Sequence, residues 1–152
     1  MSAEQLPLSK AAEYLLEECR MVLPGMQALF GFQLIAVFNA GFAEKLSHTE
    51  QLLHLGAIGL IVISIALIMT PAAYHRRTSP MQITSAFISL STRLLLWSMW
   101  PLAAGLCLDF YLISRVILRS SAAAVLAAVL FVLFFGLWSV LPRVMMSRDP
   151  RP

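Results

Sequence analysis

Asp109 is the residue in this chain whose setting most demands a chemical explanation. It lies in the apolar run 94–114, LLLWSMWPLAAGLCLDFYLIS. A carboxylate in hydrocarbon must pair, face water or give up its charge. Ser98, Pro101, Gly105 and Asp109 recur at steps of three, four and four. On a helix that spacing puts Asp109 on the face carrying the small and polar residues, the face expected to point at other helices. Asn39 and His54 fall at a similar depth in their own apolar runs. An Asn39–His54–Asp109 cluster would bind a proton or a cation. The alternative is a carboxylate paired locally, with Arg115 or with water near the headgroups. Gln33 and Ser98 are further polar candidates, for lining a pathway or for packing.

A second polar concentration precedes the first apolar run and follows the second. Glu17, Glu18 and Arg20 stand before one; His75, Arg76 and Arg77 leave the other. Ion pairs between the two groups would clamp the N-terminal segment onto the rest of the chain. The same residues also read as topology signals, or as contacts for anionic headgroups. Trp97, Trp100 and Tyr111 suit interfacial anchoring, with a ligand cage as the alternative. His48, His54 and His75 lack metal-ligand spacing, and no Gly-rich phosphate loop, nucleophile elbow or HExxH is present. No catalytic residue, metal or cofactor is therefore expected, and the chain does not read as an enzyme.

The elements that must position these groups follow from hydropathy. The chain has 152 residues, 59% hydrophobic and only 12% charged. Soluble domains carry about 25% charged residues, so lipid must act as the solvent here. Residues 52–73, LLHLGAIGLIVISIALIMTPAA, carry no formal charge and are followed at once by Tyr74-His75-Arg76-Arg77. As a helix that run reaches roughly 30 Å, the thickness of a bilayer's hydrocarbon core. Its Gly56, Gly59, Ile63, Ala66, Thr70 and Ala73 form a stripe of mostly small residues, read as a helix-packing face.

The fold class expected is all-α: a four-helix transmembrane bundle with an N-terminal amphipathic helix. The amphipathic helix occupies 1–22, with Leu8, Ala12, Leu15, Cys19 and Val22 on one face, and runs up to Pro24-Gly25. Its acidic residues would be repelled by anionic lipid, so it should dock on the protein's own surface or on a partner; a solvated juxtamembrane helix is the alternative. The transmembrane domain covers 23–145, with spans near 23–43, 52–73, 94–114 and 120–141. Residues 78–93 are read as an interfacial segment bent by Pro80, because a span beginning near Gln82 would bury Arg93. Pro101 should kink the third span, Pro142 should end the fourth, and 146–152 form a basic tail.

Orientation follows from basic residues in the connecting segments. With the N-terminus inside, Lys10, Arg20, Arg76, Arg77, Arg93, Arg143, Arg148 and Arg151 are cytoplasmic, against Lys45, Arg115 and Arg119 outside. Both termini are thus expected in the cytoplasm. The opening residues lack the basic start and early apolar core of a cleavable signal, so the first span should serve as an uncleaved anchor. The net charge of +3 is dispersed between apolar runs, which argues against nucleic acid. Cys19 and Cys107 are too few for a disulfide framework and should lie on opposite sides of the membrane.

Leu16-Glu17-Glu18-Cys19-Arg20, Leu23-Pro24-Gly25-Met26-Gln27-Ala28-Leu29-Phe30 and Pro71-Ala72-Ala73-Tyr74-His75-Arg76 resemble stretches of a family of small bacterial integral membrane proteins of unassigned function. The likeness covers the first half; the later helices agree in hydropathy. It implies a four-helix bacterial inner-membrane protein and brings no catalytic residues. The expected role is structural or regulatory, through helix contacts in a homo-oligomer or with a membrane partner. A homo-oligomeric ion or proton channel or transporter is the alternative.

Overall fold

The computed structural model describes residues 7–78 and 83–148. Among these residues the chain is all-α, with no strand. Helix α1 is Leu8–Val37, α2 the short Gly41–Lys45, α3 His48–Thr78 and α4 Ser85–Leu118. The last rod consists of α5, Ala122–Phe135, a wider π-helical turn, Gly136–Val140, and α6, Leu141–Arg148. Four stretches are long and apolar enough to cross a membrane: Leu8–Val37, His48–Arg77, Ser85–Leu118 and Ala122–Ser147. That is the layout of a multi-pass membrane protein. The exposed surface agrees, since Phe32, Ile35, Leu55, Trp97, Ile117 and Val132 all stand on the outside of the bundle.

Helices α3 and α4 form the centre, α1 lies against both, and α5 packs on α4. Their close approach depends on Gly105. A Cβ at that position would lie 2.9 Å from Ile61 Cδ1 and 3.2 Å from the Ala57 carbonyl oxygen. Ala57, Ile61, Ser64 and Pro71 of α3 and Ser91 and Ser98 of α4 are buried in the same seam. Ser64 donates its hydroxyl to the Ser98 carbonyl at 2.6 Å, one turn from Pro101. Proline removes a backbone donor, and a neighbouring hydroxyl is a usual way to serve the loosened turn.

Several expectations about element boundaries change. The amphipathic segment and the first span are one helix of 30 residues, because Pro24 sits inside α1 without breaking it. The amphipathic face still docks: Ala12, Leu15 and Cys19 are buried, and the latter two pack with Met26 and Ile68. Its ends, Leu8 and Val22, remain exposed. The first span stops at Val37 rather than 43, where Asn39-Ala40-Gly41 turns the chain.

The interfacial segment and third span are likewise continuous from Ser85, capped by the Thr84 hydroxyl accepting from the Phe87 N–H. A 34-residue helix exceeds the bilayer. From Arg93 to Arg115 it rises about 33 Å, close to the hydrocarbon thickness, so both arginines can reach the two borders. The expected bend at Pro80, and Arg151, lie outside the described residues.

The fourth rod continues past Pro142 to Arg148. Pro142 has no N–H, and its ring would press on the carbonyl of Trp138. The π turn around Trp138 widens the backbone there and lets the helix run on.

The small-residue stripe of α3 faces away from the chain's own bundle. Gly56, Gly59, Ile63, Ala66, Thr70 and Ala73 are all exposed. The face used internally is His54, Ala57, Ile58, Ile61, Ser64, Ile68 and Pro71.

Candidate functional site

Three helices meet near the end of the bundle that carries α2. Gln33 comes from the last two turns of α1, His54 from the second turn of α3, and Asp109 lies two and a half turns before the end of α4. Gln33 Nε2 donates to Asp109 Oδ2 at 2.5 Å. His54 Nδ1 lies 3.4 Å from Asp109 Oδ1, and His54 Nε2 lies 3.1 Å from the Gln33 carbonyl oxygen. Gln33 and His54 are buried, and Phe42 of α2 leans on the His54 ring, 5.3 Å between centroids. Each residue of the triad thus touches the other two.

The hydrogen-bonding capacities constrain the protons. The Gln33 carbonyl only accepts, so its bond requires a hydrogen on His54 Nε2. Gln33 Oε1 and Asp109 Oδ1 are buried with no hydrogen-bond partner. Gln33, His54 and Asp109 lie at the floor of a cavity of about 360 Å³ whose walls are Leu29 and Phe32 of α1, Phe42 of α2, and Leu112 and Ile113 of α4. The site is a polar floor under hydrocarbon walls. Among the described residues, no three His, Cys, Asp or Glu side chains converge to hold a metal ion.

His54 and Asp109 therefore meet, whereas Asn39 is elsewhere. Its side-chain oxygen accepts from the Gly41 N–H at 3.1 Å, closing the turn after α1. Gln33 takes its place in the cluster. The early end of α1 explains the exchange: ending the helix six residues sooner moves Gln33 about 9 Å toward that border, to the depth of His54. The turn signal Asn39-Ala40-Gly41 was the clue available in the sequence. Asp109 is not paired with Arg115, which instead reaches Glu50 at 3.5 Å. Ser98 lies about 16 Å along α4 from Asp109. Its hydroxyl bonds the Leu95 carbonyl, so it packs the seam and does not join the triad.

The charged cluster at the other end does not form the expected clamp. Among the described residues, Glu17, Glu18 and Arg20 make no ion pair with His75, Arg76 or Arg77. Contact there is aromatic: Tyr74 stacks on Phe87 at 6.3 Å and His75 tilts against it at 5.2 Å. Glu17 and Arg20 line a separate, more polar hollow with Ser9, Glu13 and Ile83. Trp100 packs on Phe135 of α5 at 5.9 Å, while Trp97 faces outward. Cys19 and Cys107 are free thiols in opposite halves of the bundle.

This fold and site define a four-span helical membrane protein with a buried polar triad. The chain belongs to the family of unknown function DUF6328, whose model matches residues 4–142. No curated protein and no solved structure matches it.

Proposed function

We propose that the protein is a non-catalytic subunit of the bacterial inner membrane that works by helix–helix contact, in a homo-oligomer or with a membrane partner. The observation that carries this reading is the outward face of α3. A Cβ on Gly56 or Gly59 would meet nothing within 4 Å, and the Thr70 hydroxyl is turned back to the Ala66 carbonyl at 2.8 Å. The face thus offers a smooth strip on which another helix can approach closely. Native mass spectrometry after gentle extraction is the test. An assembly heavier than the 16.8 kDa chain, reduced to one chain by Gly56→Leu/Gly59→Leu with helicity unchanged, is expected. A lone wild-type chain rejects the reading.

The His54–Asp109 pair favours a second reading, a homo-oligomeric proton or ion pathway. Asp109→Asn should then abolish flux in liposomes while leaving abundance nearly unchanged. Absence of wild-type flux rejects it. Under either reading both termini are cytoplasmic, supported by the excess of Lys and Arg at that end. A C-terminal reporter active in the periplasm would contradict that orientation.

A further inference from the structure

The groove above the triad has a chemical bias that neither reading uses. Both buried side-chain oxygens without a hydrogen-bond partner there are acceptors: Gln33 Oε1, and Asp109 Oδ1, whose one close polar neighbour is His54 Nδ1 at 3.4 Å. Gln33 is 4% exposed, so water outside the bundle does not serve it. The donors nearby are already committed: the Gln33 amide goes to Asp109 Oδ2, and His54 Nε2 goes to the Gln33 backbone carbonyl, which leaves Nδ1 of a neutral ring as a further acceptor facing Asp109 Oδ1 at 3.4 Å. Among the described residues no Lys or Arg lines the groove, and Arg115, further along α4, is engaged by Glu50. What the floor lacks is a hydrogen-bond donor, and beside a carboxylate a positively charged donor fits best.

The walls specify the rest of the ligand. Leu29, Phe32, Leu112 and Ile113 offer hydrocarbon only. Phe32 and Ile113 are 71% and 59% exposed, so the groove opens sideways, toward lipid. Its volume of about 360 Å³ lies within the range of small-molecule sites.

We infer that this groove binds lipophilic amines in their ammonium form. The ammonium head sits on the floor and donates to the Gln33 and Asp109 side chains, which turn toward it, and the apolar body lies along Leu29, Phe32, Leu112 and Ile113. Anionic amphiphiles are repelled by the carboxylate. Quaternary ammonium ions carry the charge but cannot satisfy the two acceptors. The site stands whether or not the protein assembles through α3.

Isothermal titration of the full chain in detergent micelles, with empty micelles as baseline, tests this. The probes are octylammonium, octyltrimethylammonium and octanoate at neutral pH. One octylammonium per chain is expected, bound at least tenfold more tightly than either other probe. Asp109→Asn should weaken it at least tenfold, and Ile113→Trp, which fills the groove from its lipid-facing wall while leaving Gln33, His54 and Asp109 in place, should abolish it. Octylammonium binding no tighter than octanoate, or unchanged in Ile113→Trp, overturns the assignment. If Asp109→Asn fails to fold, the ranking of the three probes and the Ile113→Trp result decide by themselves.

Discussion

His54 Nδ1 faces Asp109 Oδ1 at 3.4 Å while the opposite ring nitrogen is held by the Gln33 carbonyl at 3.1 Å. With a hydrogen on Nε2, a favourable Nδ1–Oδ1 contact needs one more proton between the two groups. Without a ligand's N–H to fill that place, the pair is either an imidazolium against a carboxylate or a neutral ring accepting from a carboxylic acid. Both arrangements are neutral as a whole, which is how two titratable groups can be kept in an apolar setting.

The triad's stability should therefore be strongly non-additive. Gln33→Leu removes the donor to Asp109 Oδ2, and Asp109→Leu strands the Gln33 amide; each should cost about 1–3 kcal/mol. The double variant replaces both partners by hydrocarbon and should cost less than the sum of the two. Denaturant unfolding in micelles measures the cycle. Strictly additive losses would mean that the two side chains do not depend on each other.

The seam between α3 and α4 gives a second prediction. Because a Cβ on Gly105 meets Ile61 Cδ1 at 2.9 Å and the Ala57 carbonyl at 3.2 Å, Gly105→Ala should destabilise by about 1–3 kcal/mol through overpacking. Ile61→Val removes the clashing methyl, so the pair Gly105→Ala/Ile61→Val should recover much of that loss. Gly59→Ala, on the open face, should leave the isolated chain's stability unchanged. Thermal melts of the four proteins decide the matter, and equal effects at Gly105 and Gly59 would contradict the packing.

Hydropathy made the four spans legible because the bilayer sets their length and forbids unpaired backbone in hydrocarbon. Asp109's inward face was legible for a related reason: Ser98, Gly105 and Asp109 share a helical stripe, and Ser98 and Gly105 are buried. Helix ends were not. Pro24 and Pro142 look like breakers to local chemistry, yet α1 passes through one and the fourth rod passes the other after a π turn. The misplaced end of α1 then put Asn39 in the cluster where Gln33 stands. The stripe of α3 was legible as a packing face, but a single chain's sequence does not say which molecule packs on it.

Helix α3 begins with a reciprocal cap. The Ser47 N–H and hydroxyl both reach Glu50 Oε2 at 2.8 Å, and the Glu50 N–H points back to the Ser47 hydroxyl at 3.4 Å. Since His54 lies two turns on, this cap anchors the register of the triad. Ser47→Ala should cost about 1 kcal/mol. Glu50→Gln keeps a side chain able to complete the box and loses only the partly exposed pair with Arg115, so it should cost under about 1 kcal/mol. A larger loss from Glu50→Gln than from Ser47→Ala, read by unfolding, would make the ion pair the dominant tie.

Arg119 closes the turn between α4 and α5 with φ at 50°, and it is the only non-glycine residue with positive φ among those described. Its N–H caps the Arg115 carbonyl at 3.0 Å, so the backbone geometry is needed to end α4. A side chain in the left-handed region costs about 1–2 kcal/mol that glycine avoids. Glycine also gives up more freedom on folding, which offsets part of the gain. Arg119→Gly should therefore be neutral or stabilising by up to about 1 kcal/mol, whereas Arg119→Val, β-branched at positive φ, should destabilise by more than Arg119→Ala. Unfolding midpoints of the three variants give the order Gly, Ala, Val from most to least stable. A reversed order would show that the arginine side chain itself, and not the turn it closes, sets the end of α4.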